Sequence, residues 1–525
     1  MRGGTVSALA VVAAFFATVA AAEPRATVSG GRIEGRNEGD LNLFLGIPYA
    51  KPPVGDLRWR EPAPVVPWRG VLAAATYSPA CYQTEGRSFG PFTDEFVNVG
   101  RRSEDCLYLN VWSPSKPGRK RPVFLYIHGG GFGSGSTSVP VYDGAGLARK
   151  GVVVVTINYR LGVFGFLAHP ALTAESPLKS SGNYGVLDMI AALKWVRANI
   201  GRFGGDSRNV TIAGQSAGAA AVSDLLVSPA AKGLFAHAVI QSGPGLGVRG
   251  RTLVDAEQIG EGVASRLGVR TPEELRRLPA DALLAATAVN PPAKGSTPEI
   301  LMAPNIDRVV IAWDPEKASG RVISDVPIMA GYNHDEAFIF GTPKDVTPEQ
   351  FEDYVKSRYG DFAARFLAVY PHATGEEASR SLDDIGRDRY MSQLVLWAEQ
   401  HAAAQKAALY LYEFKHSYPG SDPARFGAFH TAEVPYVLGA LNVPHIKFTA
   451  EDHRIADQME TRWVNFMTKG DPNDRLSPAW PEWSHVPGRI MMLGSHPEAG
   501  WPVSLKTRFD VFRDYVASGG RLSLF

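Results

Sequence analysis

The sequence predicts an α/β fold built on a mostly parallel central sheet, and three observations carry that prediction. Short apolar, β-branched runs recur along the chain; stretches with helical spacing lie between them; and one run passes through a Gly-x-Ser-x-Gly pentapeptide into an alanine-rich helix. The runs are 122–127 (PVFLYI), 152–157 (VVVVTI), 210–213 (VTIA), 326–330 (VPIMA) and 408–414 (ALYLYEF). Continuous apolar runs of this length suit strands covered on both faces. Between them, Leu187, Ile190, Leu193, Val196 and Ile200 recur at three- and four-residue intervals and predict a helix over 185–200. Such alternation indicates a parallel sheet with crossover helices.

Two stretches interrupt the alternation. Residues 250–325 and 341–400 are rich in Ala, Leu, Arg and Glu at helical spacing, with Asn290-Pro291-Pro292 as a break in the first. They read as helical insertions above the sheet that wall a substrate pocket. On this reading 23–525 form one domain, although 525 residues exceed the usual size of a single core.

A formal net charge of +1, with no run of like charges, gives no reason to expect a nucleic-acid or polyanion partner. The first 22 residues differ from the rest. Arg2 is followed by an apolar or small stretch over 6–19, and Ala20-Ala21-Ala22 supplies a small-residue cleavage pattern. This predicts a secretory signal peptide, a secreted or periplasmic mature protein, and no membrane anchor after cleavage. The two cysteines, Cys81 and Cys106, are expected to pair in an oxidising compartment, the alternative being two separate buried thiols. Two cysteines without a neighbouring histidine cannot complete a zinc shell, and no metal or cofactor is expected.

The chemistry is concentrated in two glycine-containing segments. Residues 209–218 (NVTIAGQSAG) place Ser216 between a β-branched strand and the helical stretch 219–227, the context a nucleophile elbow requires. Gly214 and Gly218 are needed because side chains there would collide across the turn, and the amide of Ala217 then points at an incoming carbonyl oxygen. Residues 128–132 (HGGGF) follow the strand at 122–127. Their glycines let backbone N–H groups approach a ligand, so Gly130 and Gly131 join Ala217 as candidate oxyanion donors. His128 itself reads as a packing residue.

Five further segments stand in order: 44–50 (FLGIPYA), 103–110 (SEDCLYLN), 158–165 (NYRLGVFG), 203–206 (FGGD) and 241–243 (QSG). With the two glycine segments, the chain from about 28 to 520 resembles the type-B carboxylesterase/cholinesterase family. That resemblance implies the α/β-hydrolase fold and ester hydrolysis through an acyl-enzyme. Within 331–336 (GYNHDE) it implies Glu336 as the orienting acid, with Asp335, the chemical rival, at the neighbouring surface. Within 429–436 (FHTAEVPY) it implies His430 as the general base, which composition cannot select among 12 histidines. It also supports the Cys81–Cys106 pairing and suggests that Ser242 supports the acid and the histidine.

Gln215 stands where the family usually carries Glu, and the 82–105 loop lacks the tryptophan with which cholinesterases hold a quaternary ammonium. Neutral or anionic small-molecule esters are therefore expected in preference to choline esters. Two alternatives use the same residues differently: an amidase or lactonase with the same triad, and a cholinesterase-like binding protein without catalysis. The complete set of Ser, acid, His and glycine loop favours the enzyme. One sequence specifies neither the natural ester nor the oligomeric state.

Overall fold

The computed structural model describes residues 23–522 apart from 117, 119, 244–249, 288–299, 316–322 and 339–344. The leader-like residues 1–22 and the break at Asn290-Pro291-Pro292 lie outside the described residues. The central sheet comprises β1 (Arg36–Glu38), β2 (Leu41–Pro48), β3 (Tyr108–Pro114), β4 (Arg121–Ile127), β5 (Val153–Ile157), β6 (Gly205–Gln215), β7 (His237–Gln241), β8 (Ile328–Asn333), β9 (Leu409–Phe414), β10 (Ile490–Leu493) and β11 (Glu498–Gly500). Their spatial order is β11-β10-β9-β8-β7-β6-β4-β5-β3-β2-β1. Strands β4 to β10 run parallel to their neighbours, whereas β1–β3 at one edge and β11 at the other pair antiparallel.

The parallel strands are apolar on both faces because each face has its own core. Alternate residues point to opposite sides of a strand. Thus Val123, Leu125 and Ile127 of β4 enter one cluster with Ile212, Ile240 and Ala330, while Phe124 and Tyr126 enter a second with Ala213, Val239 and Met329. Helix α1 (Tyr184–Asn199) packs into the first cluster through Val186, Met189, Ile190, Leu193 and Val196.

The strand expected at 326–330 begins two residues later, at Ile328. Pro327 has no N–H for a sheet ladder, and its carbonyl instead accepts from Ala238. This shift extends β8 to Asn333, three residues before Glu336.

The stretch 250–325 contains helices Leu253–Arg266, Pro272–Arg277 and Ala280–Thr287, which place Val263, Leu275 and Leu283 in the first cluster. In 341–400, helices Pro348–Tyr359 and Ala363–Leu367 precede the long helix Gly375–Ala404. Phe351, Val355, Phe366 and Ile385 meet Phe512 in a third cluster, while Tyr390, Met391 and Leu394 of the long helix reach the first. No helix among the described residues is long and apolar enough to cross a membrane.

Cys81 and Cys106 form a disulfide that closes the 82–105 loop. Closing a loop of this length stabilises the fold by about 3–4 kcal/mol through restriction of the unfolded chain. The loop carries Phe92 and Phe96, whose rings meet Phe429 edge to face at 5.5 and 5.6 Å.

Candidate active site

Strand β6 ends at Gln215 and helix α2 (Ala217–Leu226) begins one residue beyond Ser216, so Ser216 alone makes the turn. Its backbone lies at φ 57°, ψ −125°, a conformation that non-glycine residues rarely adopt. Packing leaves no other path. A Cβ on Gly214 would lie 2.4 Å from the backbone of Gly218, and a Cβ on Gly218 would lie 2.1 Å from the carbonyl oxygen of Ile127. The N–H of Ser216 donates to the carbonyl of Gln241 at 2.9 Å, tying the turn to β7.

The glycine loop after β4 passes directly beside this turn. A Cβ on Gly129 would stand 3.0 Å from Cβ of Ser216 and 2.8 Å from the carbonyl oxygen of Gln215. Gly130 and Gly131 have φ of 108° and 61°, which turn their peptide units out of a strand path. The Gly130 carbonyl is engaged by the N–H groups of Gly133 and Ser134, and Ala217 supplies the first N–H of α2. Such first-turn N–H groups have no partner within their own helix. Ile300 of the 250–325 stretch reaches the loop, its Cδ1 lying 3.9 Å from a Cβ built on Gly131.

His128 packs as expected. Its ring stacks on Tyr159 at 4.7 Å, and burial lowers its pKa to about 4.

Glu336 and His430 meet in a fully buried pair, with Oε2 of the carboxylate 2.5 Å from Nδ1 of the ring. The other carboxylate oxygen accepts from the Ser242 hydroxyl and from the Asn333 N–H at 2.9 Å. With Nδ1–H directed at Glu336, Nε2 carries a lone pair. The Gln215 amide lies 3.1 Å from that nitrogen, in position to donate to it. Burial pulls the His430 pKa down, but the charge and hydrogen bond of Glu336, with a contribution from Glu433, outweigh burial and leave it raised.

Asp335 does not lie at the surface as expected. It is buried, accepts from the Ala428 N–H at 2.8 Å and pairs with Arg387 at 2.8 Å. Its carboxylate therefore serves the loop before His430 and the long helix.

Three polar residues lie in segments the sequence singled out but were given no role there. Asn333, Gln241 and Glu433 form a buried hydrogen-bonded group beside the Glu336–His430 pair. Positive φ at four non-glycine residues, Phe132, Ser216, Ser242 and Thr431, also marks the site. Strain of this kind persists only where surrounding contacts enforce it. A buried acid–imidazole pair beside the Ser216 turn, with a glycine loop packed against that turn, suits attack on an acyl carbon.

The model of the carboxylesterase family matches residues 22–509. The chain belongs to that family. It is 37% identical over 482 residues to the fumonisin B1 esterase of Sphingopyxis macrogoltabida, covering 90% of this chain and 86% of that protein. Against the para-nitrobenzyl esterase of Bacillus subtilis (strain 168) identity is 34% over 482 residues, covering 89% and 94%. The acetylcholinesterase of Bungarus fasciatus is 33% identical over 523 residues, covering 90% and 82%. Among solved structures, a PNB esterase superposes with a TM-score of 0.77 at 31% identity, covering 93% of this chain and 99% of that one. The fold is that of the α/β-hydrolases, and the protein is a carboxylic-ester hydrolase.

The packing at the serine turn generates one prediction. Gly218→Ala must displace the turn from the Ile127 carbonyl, and a shift of the reacting group by about 1 Å costs on the order of a hundredfold in rate. Circular dichroism with ester turnover checks this, and a folded Gly218→Ala enzyme with unchanged kcat/KM contradicts it.

Proposed function

We propose that Ser216 is the nucleophile, His430 the general base and Glu336 the orienting acid of an acyl-enzyme esterase. The observation that carries this reading is the 2.5 Å contact of Glu336 with Nδ1 of His430, which leaves Nε2 as the acceptor beside the serine turn. Ser216 Oγ attacks the ester carbonyl carbon while its proton passes to Nε2. The carbonyl π electrons move onto oxygen, and the resulting oxyanion is stabilised by the N–H groups of Gly130, Gly131 and Ala217. One such donor contributes about 3–4 kcal/mol to lowering the barrier. Collapse breaks the ester C–O bond, and the imidazolium returns the proton to the departing alkoxide. Water then repeats the sequence against the acyl-enzyme and frees the carboxylic acid. Glu336 holds the ring tautomer and stabilises the imidazolium, while Ser242 and Asn333 hold Glu336.

Substrate charge follows from Gln215 and the 82–105 loop. Gln215 brings a neutral amide, not a carboxylate, against the imidazole. Phe92 and Phe96 pack edge to face with Phe429, and a phenylalanine ring offers a weaker cation–π surface than tryptophan would. Neutral and anionic esters are thus favoured over choline esters. Export to the periplasm or the exterior is part of the same reading, supported by the leader-like first 22 residues and by the disulfide.

The triad is tested by pH and substitution together. Because His430 must be neutral to accept a proton and its pKa is raised, kcat/KM should climb with pH through a midpoint above the ordinary imidazole value. Glu336→Gln should lose on the order of a thousandfold or more in kcat, since the wrong tautomer is then favoured. Asp335→Asn should lose much less. Steady-state kinetics of the two variants decide it, and the reverse ranking transfers the acid role to Asp335.

For substrate charge, kcat/KM for a choline ester should fall below that for its uncharged 3,3-dimethylbutyl isostere of equal acyl length. Gln215→Glu should narrow the gap. A wild-type preference for the choline ester contradicts the argument and implies a cation site built by the insertions.

A further inference from the structure

Arg389, on the long helix Gly375–Ala404, is a buried cation without a counter-ion. The residue is 5% exposed, and its Nε and Nη1 have no hydrogen-bond acceptor. Its Nη2 donates to the Tyr390 hydroxyl at 2.9 Å, and the guanidinium lies over the Tyr390 ring at 4.7 Å. The Tyr354 hydroxyl, on the neighbouring helix Pro348–Tyr359, is also within hydrogen-bonding reach. Other buried arginines are better provided for. Arg58, Arg160, Arg276 and Arg508 pair with Glu104, Asp188, Glu175 and Asp384, and Arg462 donates to the carbonyl of Pro478.

The phenols around Arg389 do not neutralise it. Burial, against the pull of Arg389 itself, lifts the Tyr390 hydroxyl to about 12, and burial holds that of Tyr359 well above its ordinary value. Both stay protonated, while a guanidinium stays charged. Asp388 acts on Tyr359 from nearby, but its carboxylate is taken by Tyr370, Ser504 and Arg508. The hydroxyls of Tyr359 and of Ser392, three residues along the helix from Arg389, are buried without partners as well. A buried charge left unpaired is strongly destabilising. The cluster therefore gathers N–H and O–H donors about one positive charge and holds no anion.

This cluster adjoins the acid–imidazole pair. The long helix packs against the turn at 336–338, the Tyr390 ring lies 5.7 Å from that of Tyr332 on β8, and Tyr390 feels the charge of Glu336. Tyr354, on the other side, is only partly buried, so rotation of its side chain uncovers the guanidinium.

We infer that Arg389 recognises a free carboxylate carried by the ester substrate, which supplies the missing counter-ion. This inference rests on the acyl-enzyme reading given above and narrows its anionic esters to carboxylate-bearing ones, such as hemiesters of dicarboxylic acids. The planar guanidinium matches a carboxylate with two N–H groups at once. The carboxylate replaces the Tyr390 oxygen at Nη2, and the freed hydroxyl donates to the carboxylate in turn.

The test compares kcat/KM for monoethyl esters of succinic, glutaric and adipic acids with that for their carboxamide isosteres. The acetate ester of a hydroxy acid and its carboxamide place the charge on the alcohol side instead. Wild type and Arg389→Met are assayed, with Ser216 titrated by a phosphonate in both. Wild type should prefer the acid in at least one pair, on the order of tenfold or more, and Arg389→Met should abolish that preference. No preference in any pair, or one that survives the substitution, overturns the inference. A wild-type Tm that rises with chloride, with no such preference, assigns the cation to a free inorganic anion and overturns it too. Removing an unpaired buried cation strands no partner, so Arg389→Met should hold or raise Tm. A merely structural arginine would lower Tm and slow acid and amide alike, leaving their ratio unmoved. Should Arg389→Met not fold, Arg389→Lys keeps the charge without the planar fork and should cut the preference several-fold; an unchanged ratio there overturns the inference. Failure of wild-type Ser216 to label brings down the triad assignment instead.

Discussion

Ser216 is held at φ 57° by neighbours that leave it nowhere else to go. Gly218 rests against the end of β4, Gly214 rests against Gly218, and the Ser216 N–H is tied to β7. Three adjacent parallel strands therefore converge on one residue. The glycine loop that follows β4 is brought to the same place by the same strand, which is why Gly129 packs against Ser216 and Gln215. A strained backbone of this kind costs of order 1–3 kcal/mol, and only a well-packed sheet on both sides can sustain it. The two apolar faces of the central strands supply that packing.

Electrostatic organisation rests on the same sheet. Strand β8 ends at Asn333, whose backbone holds Glu336 and whose side chain holds Glu433 and the loop before His430. Strand β7 ends at Gln241, followed by Ser242, so consecutive residues serve Glu433 and Glu336. Buried charge is tolerated here because each carboxylate oxygen has a donor. Gln215 completes the surround by placing a neutral amide at Nε2 of His430.

Much of this was legible in the sequence, for identifiable reasons. The parallel strands were visible because double-faced burial writes uninterrupted apolar runs. The serine turn was visible because its glycines are forced by close approach to Ile127 and to each other. Strands β2 and β3 were harder, since Asn42, Asn110 and Ser113 interrupt their apolar pattern. The five residues of β7 begin with a histidine and end with a glutamine, and gave no distinct signal. The association of Asn333, Gln241 and Glu433 was hidden for a different reason. They are 100 and 192 residues apart in the chain, and only the sheet order brings them together. A buried polar residue reads in sequence like an exposed one. Asp335 illustrates the converse: an aspartate beside the acid looked like surface, yet Arg387 on the long helix makes burial tolerable.

In the proposed mechanism the constrained turn at Ser216 delivers the nucleophile of this carboxylesterase. The most direct measurement is covalent: treatment with a serine-directed phosphonate, followed by peptide mass spectrometry and active-site titration. Modification of Ser216 at one equivalent per chain, with parallel loss of ester hydrolysis, is the predicted result. Label on a different serine, or full hydrolysis by Ser216→Ala, contradicts it.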